Sequence, residues 1–363
     1  MTTAQPLTEP LDLLSLNEIG MVQFVRGLGW PAYRARQVLR WLYRRRETDI
    51  GRMTDLSQDD RIRLSNCSVI SSPRDCRVYT SKDGTRKLVL TLADGLAVES
   101  VLIPEDGRLT LCLSTQIGCT LDCGFCLTGT MGLRRNLRVA EIVTQVLAAQ
   151  THGDKDAPLT NLVFMGMGEP LANIDALKDA IGRLTNDVWG FGFSPRRITV
   201  STAGLATRLK EMAPLGVNLA ISLNATTNHM RERLMPAANR LHSLRSLLAA
   251  CRAYPLASRR RLTFEYVLLG GVNDGLEDAR RLAMLLRGLR SKVNLIPFNP
   301  FPGSRFHRPS DEAVSSFQET LRRAGLDAFV RKSRGRDVLG ACGQLGDVPD
   351  DTAVTLTQIE ARC

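Results

Sequence analysis

Residues 118–126 read "GCTLDCGFC" and set three thiols, Cys119, Cys123 and Cys126, within eight positions. The spacing is Cys-x3-Cys-x2-Cys, with Phe125 just before the last cysteine and no fourth cysteine beside it. Structural zinc takes four protein ligands in a closed tetrahedron. A [4Fe–4S] cluster that only transfers electrons is held by four cysteines. Three thiolates would leave one iron open to a ligand that is not protein. The competing reading is a zinc site completed by a distant cysteine or by His152.

The stretch follows an apolar run, "LTLCLS" at 109–114. Five similar runs come after it: "NLVFMGM" (161–167), "RITVST" (197–202), "VNLAISL" (217–223), "LTFEYVLL" (262–269) and "VNLIPF" (293–298). Helix-length segments lie between them, such as 139–150, 276–289 and 312–325. Near-continuous apolar strands alternating with helices predict a parallel sheet covered by helices. Six strand–helix units fall short of the eight of a closed barrel. The expected class is therefore α/β, a partial (β/α)6 barrel, with a doubly wound sheet as the alternative. Both architectures keep their chemistry at the carboxyl ends of the strands. The three cysteines stand just past the first of those ends.

Four regions are expected: a helical basic accessory domain at 1–75, an antiparallel extension at 76–108, the barrel at 109–330, and a C-terminal loop and tail at 331–363. In the first, "WPAYRARQVLRWLYRRR" (30–46) puts Pro31 near a first helical turn, where its missing N–H costs nothing. Val38, Trp41 and Leu42 share one helix face, and Arg36, Arg40 and Arg44 share another. Seven arginines and no acid lie between Arg26 and Arg46, which suits phosphate. In the extension, Asp94–Gly95 within "RKLVLTLADGLAVESVLIP" is a hairpin signal.

With 363 residues, 44% of them hydrophobic, the chain can bury a large core. Its net charge of +11 suits a polyanionic partner. The first twenty residues lack a basic segment followed by a long apolar run, and no stretch of 18 apolar residues occurs. The expectation is a cytoplasmic protein without a membrane contact. Structural disulfides are not expected from nine irregularly spaced cysteines in that setting. Cys67, Cys76 and Cys251 read as small apolar residues, and Cys363 as part of a loose terminus. Cys342 differs, because "GACGQLG" (340–346) surrounds it with glycine. A mobile, exposed loop is expected there, able to reach over the barrel mouth. Cys112 lies in the first strand, seven residues before Cys119.

Polar residues mark other strand ends: Gly168 and Glu169 in "MGMGEP", Ser201, Ser222, and Asn299 in "NPFPG". Glycine lets a backbone approach a ligand closely, and a glutamate can accept hydrogen bonds from an ammonium group. Singly each reads as a cap or turn residue; jointly they suggest a ribose- and carboxylate-binding pocket.

The cysteine spacing, the aromatic residue and the strand context resemble those of the radical S-adenosylmethionine enzymes. More narrowly, "CLSTQIGCTLDCGFCLTGTMGLRRNLRVAEI", "MGMGEPLAN", "SPRRITVSTAG", "NLIPFNPFPG" and "ACGQL" resemble the RlmN/Cfr family of RNA methyltransferases over about residues 99–346. The resemblance implies one [4Fe–4S] cluster on Cys119, Cys123 and Cys126, and two S-adenosylmethionine molecules per turnover. It implies a methyl carrier at Cys342, a resolving thiol at Cys112 and a proton acceptor at Glu99, which read alone is an ordinary strand-surface acid. Cofactor contacts are implied for Gly168, Glu169, Ser201, Ser222, Leu223, Asn224 and Asn299. Asn224 stands where many members have histidine, and Arg336 where an acid is common.

The implied reaction is methylation of carbon 2 of an adenosine in 23S ribosomal RNA and of adenosine 37 in transfer RNAs. It passes through a methylated cysteine, a covalent protein–RNA adduct and a transient disulfide. The alternative is Cfr-type methylation at carbon 8. An electron donor such as flavodoxin or ferredoxin is implied, as is a monomeric chain. Candidate phosphate contacts are Arg36, Arg40, Arg44, Arg134, Arg135 and Arg259 to Arg261.

Overall fold

The computed structural model describes residues 10–152, 158–347 and 358–359. Cys363 lies outside the described residues. The N-terminal segment forms three helices, α1 (Glu18–Gly27), α2 (Tyr33–Tyr43) and α3 (Gln58–Cys67). A short parallel pair, β1 (Leu11–Asp12) with β2 (Ser68–Val69), ties its ends together. The α1 and α3 starts are fixed by side-chain caps: Asn17 Oδ1 accepts the Gly20 N–H and Ser57 Oγ accepts the Asp60 N–H.

Helix α2 buries Ala35, Val38, Leu39, Trp41, Leu42 and Tyr43 and leaves Arg36, Arg40 and Arg44 exposed. The arginine run without an acid in sequence finds acceptors in space. Arg36 pairs with Glu18 at 2.7 Å, Arg34 with Asp60 at 3.6 Å and Arg45 with Asp55 at 3.7 Å. Arg44 donates to the Asp187 carbonyl. Among the described residues Arg40 has no ion pair. Three of the seven arginines are thus paired with acids that the local sequence gives no sign of.

Three antiparallel strands follow, β3 (Asp75–Thr80), β4 (Arg86–Thr91) and β5 (Ala97–Glu105). Gly95 takes the β4–β5 turn at φ +84°. Strand β6 (Arg108–Cys112) then leads into a small hairpin, β7 (Gln116–Gly118) with β8 (Leu133–Asn136), which encloses the short helix α4 (Leu127–Thr130). Helix α5 (Val139–His152), β9 (Leu159–Phe164), α6 (Ile174–Thr185), β10 (Ile198–Thr202) and β11 (Asn218–Ser222) continue the alternation. Three helices, α7 (Asn228–Leu234), α8 (Pro236–Leu241) and α9 (Leu244–Arg252), precede β12 (Leu262–Leu268). The run closes with α10 (Leu276–Leu286), β13 (Ser291–Pro297), α11 (Asp311–Arg323) and β14 (Ala328–Val330). A last strand, β15 (Gln358–Ile359), pairs antiparallel with β3.

One sheet holds eleven strands in the order β14-β13-β12-β11-β10-β9-β6-β5-β4-β3-β15. From β6 to β14 every neighbouring pair is parallel. Spatial order here follows chain order without reversal. A doubly wound sheet reverses at a switch point, so the partial-barrel reading holds. The parallel part has one strand more than the sequence pattern suggested. β14 is only three residues long, and two of them, Phe329 and Val330, are exposed, so it carries no apolar run.

Helix α5 is buried on all sides. Ile142, Val146 and Ala149 pack with the sheet core, while Ala140, Val143 and Leu147 pack with the N-terminal helices. The contact is reinforced by Arg183 on α6, which is 1% exposed. Its guanidinium donates to the Leu14 carbonyl, to the Tyr43 hydroxyl at 2.8 Å and to Asp179 at 2.9 Å. Removing one member of a buried ion pair costs ~3–5 kcal/mol, whereas exposed pairs are worth about 1 kcal/mol or less. In urea unfolding, Arg183→Ala is therefore expected to lose several times more stability than Arg36→Ala.

Candidate active site

The cysteine loop hangs between the strands of the β7–β8 hairpin. Gly118 has φ +73°, and a Cβ there would stand 1.8 Å from the Gly132 carbonyl oxygen, so only glycine closes the hairpin. Leu121, Phe125 and Leu127 of the loop pack against Phe298, Phe301 and Phe306. The three thiols line one cavity at the carboxyl end of the parallel strands. Solvent reaches them through the cavity mouth, but protein surrounds them otherwise. That enclosure disfavours the charged sulfur, and it pushes Cys119 up to about 12 and raises Cys123 and Cys126.

Other features favour negative sulfur. The Leu121 N–H donates to Cys119 Sγ at 3.3 Å, and backbone N–H groups of Thr128 and Gly129 act on Cys126. Arg231 is fully buried, donates to the Ala203 and Leu223 carbonyls, and interacts electrostatically with Cys123. Its Nε has no hydrogen-bond partner among the described residues. A buried cation without a carboxylate is costly unless an anionic group stands beside it. An anionic iron–sulfur cluster on the three thiols satisfies that demand. Among the described residues no three His, Cys, Asp or Glu side chains converge on a single-ion position. His152, the fourth zinc ligand considered above, instead faces Cys76 at 3.6 Å. Three thiols with no fourth protein ligand beside them among the described residues suit a polynuclear cluster that keeps one metal atom open.

The same cavity is lined by Gly168, Glu169, Ser201, Ser222, Asn224, Asn299 and Cys342. Gly168 has φ +98°, and a Cβ there would fall 2.5 Å from Gln116 Cβ. Glu169 is 2% exposed, and its two oxygens accept the Leu171 and Ala203 N–H groups at 3.0 and 2.8 Å. Burial still raises its pKa. The Ser201 and Ser222 hydroxyls lie 3.2 Å apart across neighbouring strands. Asn224 adopts φ +54°, a region asparagine tolerates, and its Oδ1 accepts the Val267 N–H at 2.9 Å. Leu223 does not line the cavity; it is fully buried, and its carbonyl is taken by Arg231.

A second chamber adjoins the first. Cys112, Glu105, Arg331, Lys332, Ser333, Arg334, Gly340 and Ala341 line it, and it shares Met165, Glu265, Ile296, Asn299 and Cys342 with the first. Cys342 therefore faces Cys119, Cys123 and Cys126 on one side and Cys112 on the other, and Cys342 and Cys112 are both free thiols. Burial raises Cys112 and Cys342, and each feels the charge of a neighbouring thiol.

The glycine-flanked loop is not the exposed segment that its sequence suggested. Ala341, Gln344 and Leu345 are buried. The Leu127 N–H donates to the Gly343 carbonyl at 2.8 Å, Asn299 Nδ2 to the Cys342 carbonyl at 3.2 Å and Gln344 Nε2 to the Pro300 carbonyl at 2.6 Å. Only the Cys342 side of the loop is open. Glu99 is likewise no surface acid. It is 7% exposed, pairs with Lys87 at 3.2 Å and accepts the Gly346 N–H at 3.0 Å. It lines neither chamber and instead anchors the far end of the Cys342 loop. Of the remaining cysteines, Cys76 and Cys251 are buried as expected, whereas Cys67 is half-buried with its thiol donating to the Arg63 carbonyl.

Sequence reasoning missed three features. Arg231 and Glu265 are charges inside otherwise apolar surroundings, and an acid in mid-strand within "LTFEYVLL" was a readable signal. The run Arg331, Lys332, Arg334 and Arg336 makes no ion pair among the described residues, and its first three members line the second chamber. In contrast, Arg135 pairs with Asp94 and Glu141, and Arg261 pairs with Asp327.

A partial barrel of parallel strands with three cysteine thiols at its mouth defines a radical S-adenosylmethionine enzyme. The comparisons agree: residues 113–283 match the radical SAM superfamily, and residues 11–70 match the ribosomal RNA large subunit methyltransferase N-terminal domain. The dual-specificity RNA methyltransferase RlmN of Geobacter sulfurreducens is 49% identical over 92% of this chain and 92% of its own length. That of Halorhodospira halophila is 47% identical over 96% and 98%. A crystal structure of a radical SAM methyltransferase from Sphaerobacter thermophilus superposes with a TM-score of 0.88 at 42% identity, covering 92% of this chain and 99% of that one. The chain belongs to the RlmN family of RNA methyltransferases. Among the described residues no helix is long and apolar enough to cross a membrane.

The Gly168 geometry is testable. Alanine there must move either the backbone or Gln116, at ~1–3 kcal/mol for the strained backbone alone. Gly168→Ala is expected to lower the thermal midpoint and to weaken S-adenosylmethionine binding in equilibrium dialysis, because Glu169 moves with it.

Proposed function

We propose that this chain methylates carbon 2 of an adenosine in 23S ribosomal RNA and of adenosine 37 in transfer RNAs. The observation that carries this reading is the position of Cys342, in the wall shared by the cluster chamber and the Cys112 chamber. A methyl group on that sulfur can be received on one side and delivered on the other. Carbon 2 of adenine is electron-poor and does not attack a sulfonium methyl as a nucleophile, so the carrier must become a radical. When bound, a [4Fe–4S] cluster with S-adenosylmethionine supplies that radical.

Cys119, Cys123 and Cys126 hold the cluster in this reading. Glu169, Gly168, Ser201, Ser222 and Asn299 line the space for S-adenosylmethionine, and Asn299 also steadies the Cys342 carbonyl. Cys342 carries the methyl carbon to the ring. Cys112 attacks the linked sulfur, forms a transient disulfide with Cys342 and releases the base. Asn224 contributes to the wall, and Leu223 contributes through its backbone. The ring proton leaves to a base, for which the family resemblance points to Glu99.

Two S-adenosylmethionine molecules are consumed, one as methyl donor and one as radical source. An external reductant such as flavodoxin or ferredoxin supplies the electron. A monomeric cytoplasmic enzyme fits this scheme. The relatives' shared name, dual-specificity RNA methyltransferase RlmN, favours carbon 2 over the carbon 8 of the Cfr type.

The decisive experiment digests RNA after reaction with anaerobically reconstituted protein and separates the methyladenosines. The 2-methyl isomer is expected; finding only the 8-methyl isomer overturns the assignment. Cys342→Ala is expected to abolish methylation, and Cys112→Ala to accumulate protein–RNA adducts visible as a gel shift under denaturing conditions.

RNA phosphates are expected on the unpaired cations at the second chamber. Reversing Arg331, Lys332 and Arg334 to glutamate should flatten the salt dependence of RNA binding by roughly 0.7–0.9 in log–log slope per lost contact. An unchanged slope would remove that rim from the interface.

A further inference from the structure

Among the described residues Glu265 is the only carboxylate that lines both chambers. It sits in the middle of β12, opposite its register partner Asn294 on β13. It is 5% exposed. Asn294 Nδ2 donates to Glu265 Oε1 at 2.9 Å. The other oxygen, Oε2, accepts no hydrogen bond among the described residues and is not sealed from the cavity. No ion pair neutralises the group; Arg331 and Lys292 act on it only from a distance. An unpaired carboxylate buried this deeply is a liability to the fold. In a cleft, such a group marks a functional position.

The other acids of the two chambers are engaged. Both Glu169 oxygens accept backbone N–H groups, and Glu105 pairs with Arg108. Glu99, outside both chambers, holds Lys87 and the Gly346 N–H. Glu265 alone presents a free oxygen to the wall that carries Cys342.

Cys342 needs such a neighbour. A thiol is a weak nucleophile until its proton leaves, and although Cys342 is exposed at the cavity, the protein packed around it raises its pKa. The groups that act on it are Glu265, Arg331, Cys126 and Cys112, and of these only Glu265 is a carboxylate. Arg331 is an exposed cation that cannot accept a proton.

We propose that Glu265 accepts the Cys342 proton as that thiol takes up its methyl group from a sulfonium donor, directly or through one water. The inference rests on the function proposed above. The Cys342 S–H bond breaks, its electron pair stays on sulfur and the proton passes to Glu265 Oε2. The same sulfur forms a bond to the methyl carbon. The donor's carbon–sulfur bond breaks, and its electron pair remains on the departing neutral thioether. One negative carboxylate and one positive sulfonium become two neutral groups. Charge is therefore annihilated beside a buried carboxylate, where an unpaired charge is expensive. The proton must be shed again to solvent before the next turnover, and the open second chamber provides the route.

The test uses reconstituted, cluster-loaded protein without RNA and without reductant, supplied with S-adenosylmethionine labelled in the methyl group. Peptide mapping reads label on Cys342. Wild type should acquire it, and Glu265→Gln should acquire it ~100-fold more slowly, the ordinary contribution of a positioned base. Glu265→Asp, which keeps a carboxylate, should recover part of the rate. The pH profile should also change. Wild-type uptake should level off once Glu265 is ionised, while Glu265→Gln should keep rising towards alkaline pH as free thiolate forms.

Cleavage of S-adenosylmethionine after adding dithionite serves as the control for a folded, loaded site. Retained cleavage with lost methyl uptake supports the proposal. Methyl uptake by Glu265→Gln at the wild-type rate overturns it. So does loss of uptake and cleavage together with no recovery in Glu265→Asp, since Glu265 would then only shape the pocket. If wild type itself places no label on Cys342, the covalent-methyl reading falls and takes this inference with it.

Discussion

The hydrogen bond from the Leu127 N–H to the Gly343 carbonyl, 2.8 Å long, joins the cysteine loop to the C-terminal loop. The Thr128 hydroxyl repeats the join at the Leu345 carbonyl, across 217 residues of sequence. Everything functional depends on this seam. Cluster thiols alone would make a radical source with nothing to act on. Cys342 alone would be one thiol among nine. The seam closes the mouth of the partial barrel and puts the Cys342 sulfur where both chambers meet. Gly343 permits it: with φ +84°, its position would put a Cβ 3.3 Å from the Phe125 carbonyl.

The sheet supplies the frame for that seam. Parallel strands in unbroken order send every connection the same way round, so the strand ends β6, β9, β10, β11, β12 and β13 converge on one mouth. Inward side chains recur every second residue. Glu265 and Val267 on β12 therefore face the cavity with Ile296 on β13, while Phe264 and Leu295 face the helices in the core. The buried charges Arg231, Glu169 and Glu265 are tolerated because each answers a hydrogen-bond or charge demand of the site. None is required by the core.

Much of this was legible in the sequence because the signals are local. Cysteine spacing, apolar runs at strand length and the Asp94–Gly95 turn each depend on a few neighbouring residues, and each matches what the fold contains. Glu99 misled, since a glutamate in an amphipathic strand reads as surface. Its burial follows from Lys87 on the adjacent strand and from a loop hundreds of residues away. On α2 nothing in the local sequence signals that Arg36 pairs with Glu18 or that Arg44 donates to the Asp187 carbonyl, since both acceptors lie on other elements. The run after β14 went unremarked, although among the described residues its cations make no ion pair and three of them line the second chamber.

By itself the sequence determined the class of fold and the trio of thiols, because periodicity and side-chain chemistry belong to the chain before it folds; the roles of Cys112 and Cys342 came only through the family resemblance. Only the tertiary structure decided that Cys342 faces two chambers, that Glu99 is bound to its loop and that Glu265, with one oxygen free of hydrogen bonds among the described residues, lines the same two chambers. Those facts rest on which distant segments share a wall. Burial and unsatisfied hydrogen bonding exist only once the chain has closed around them.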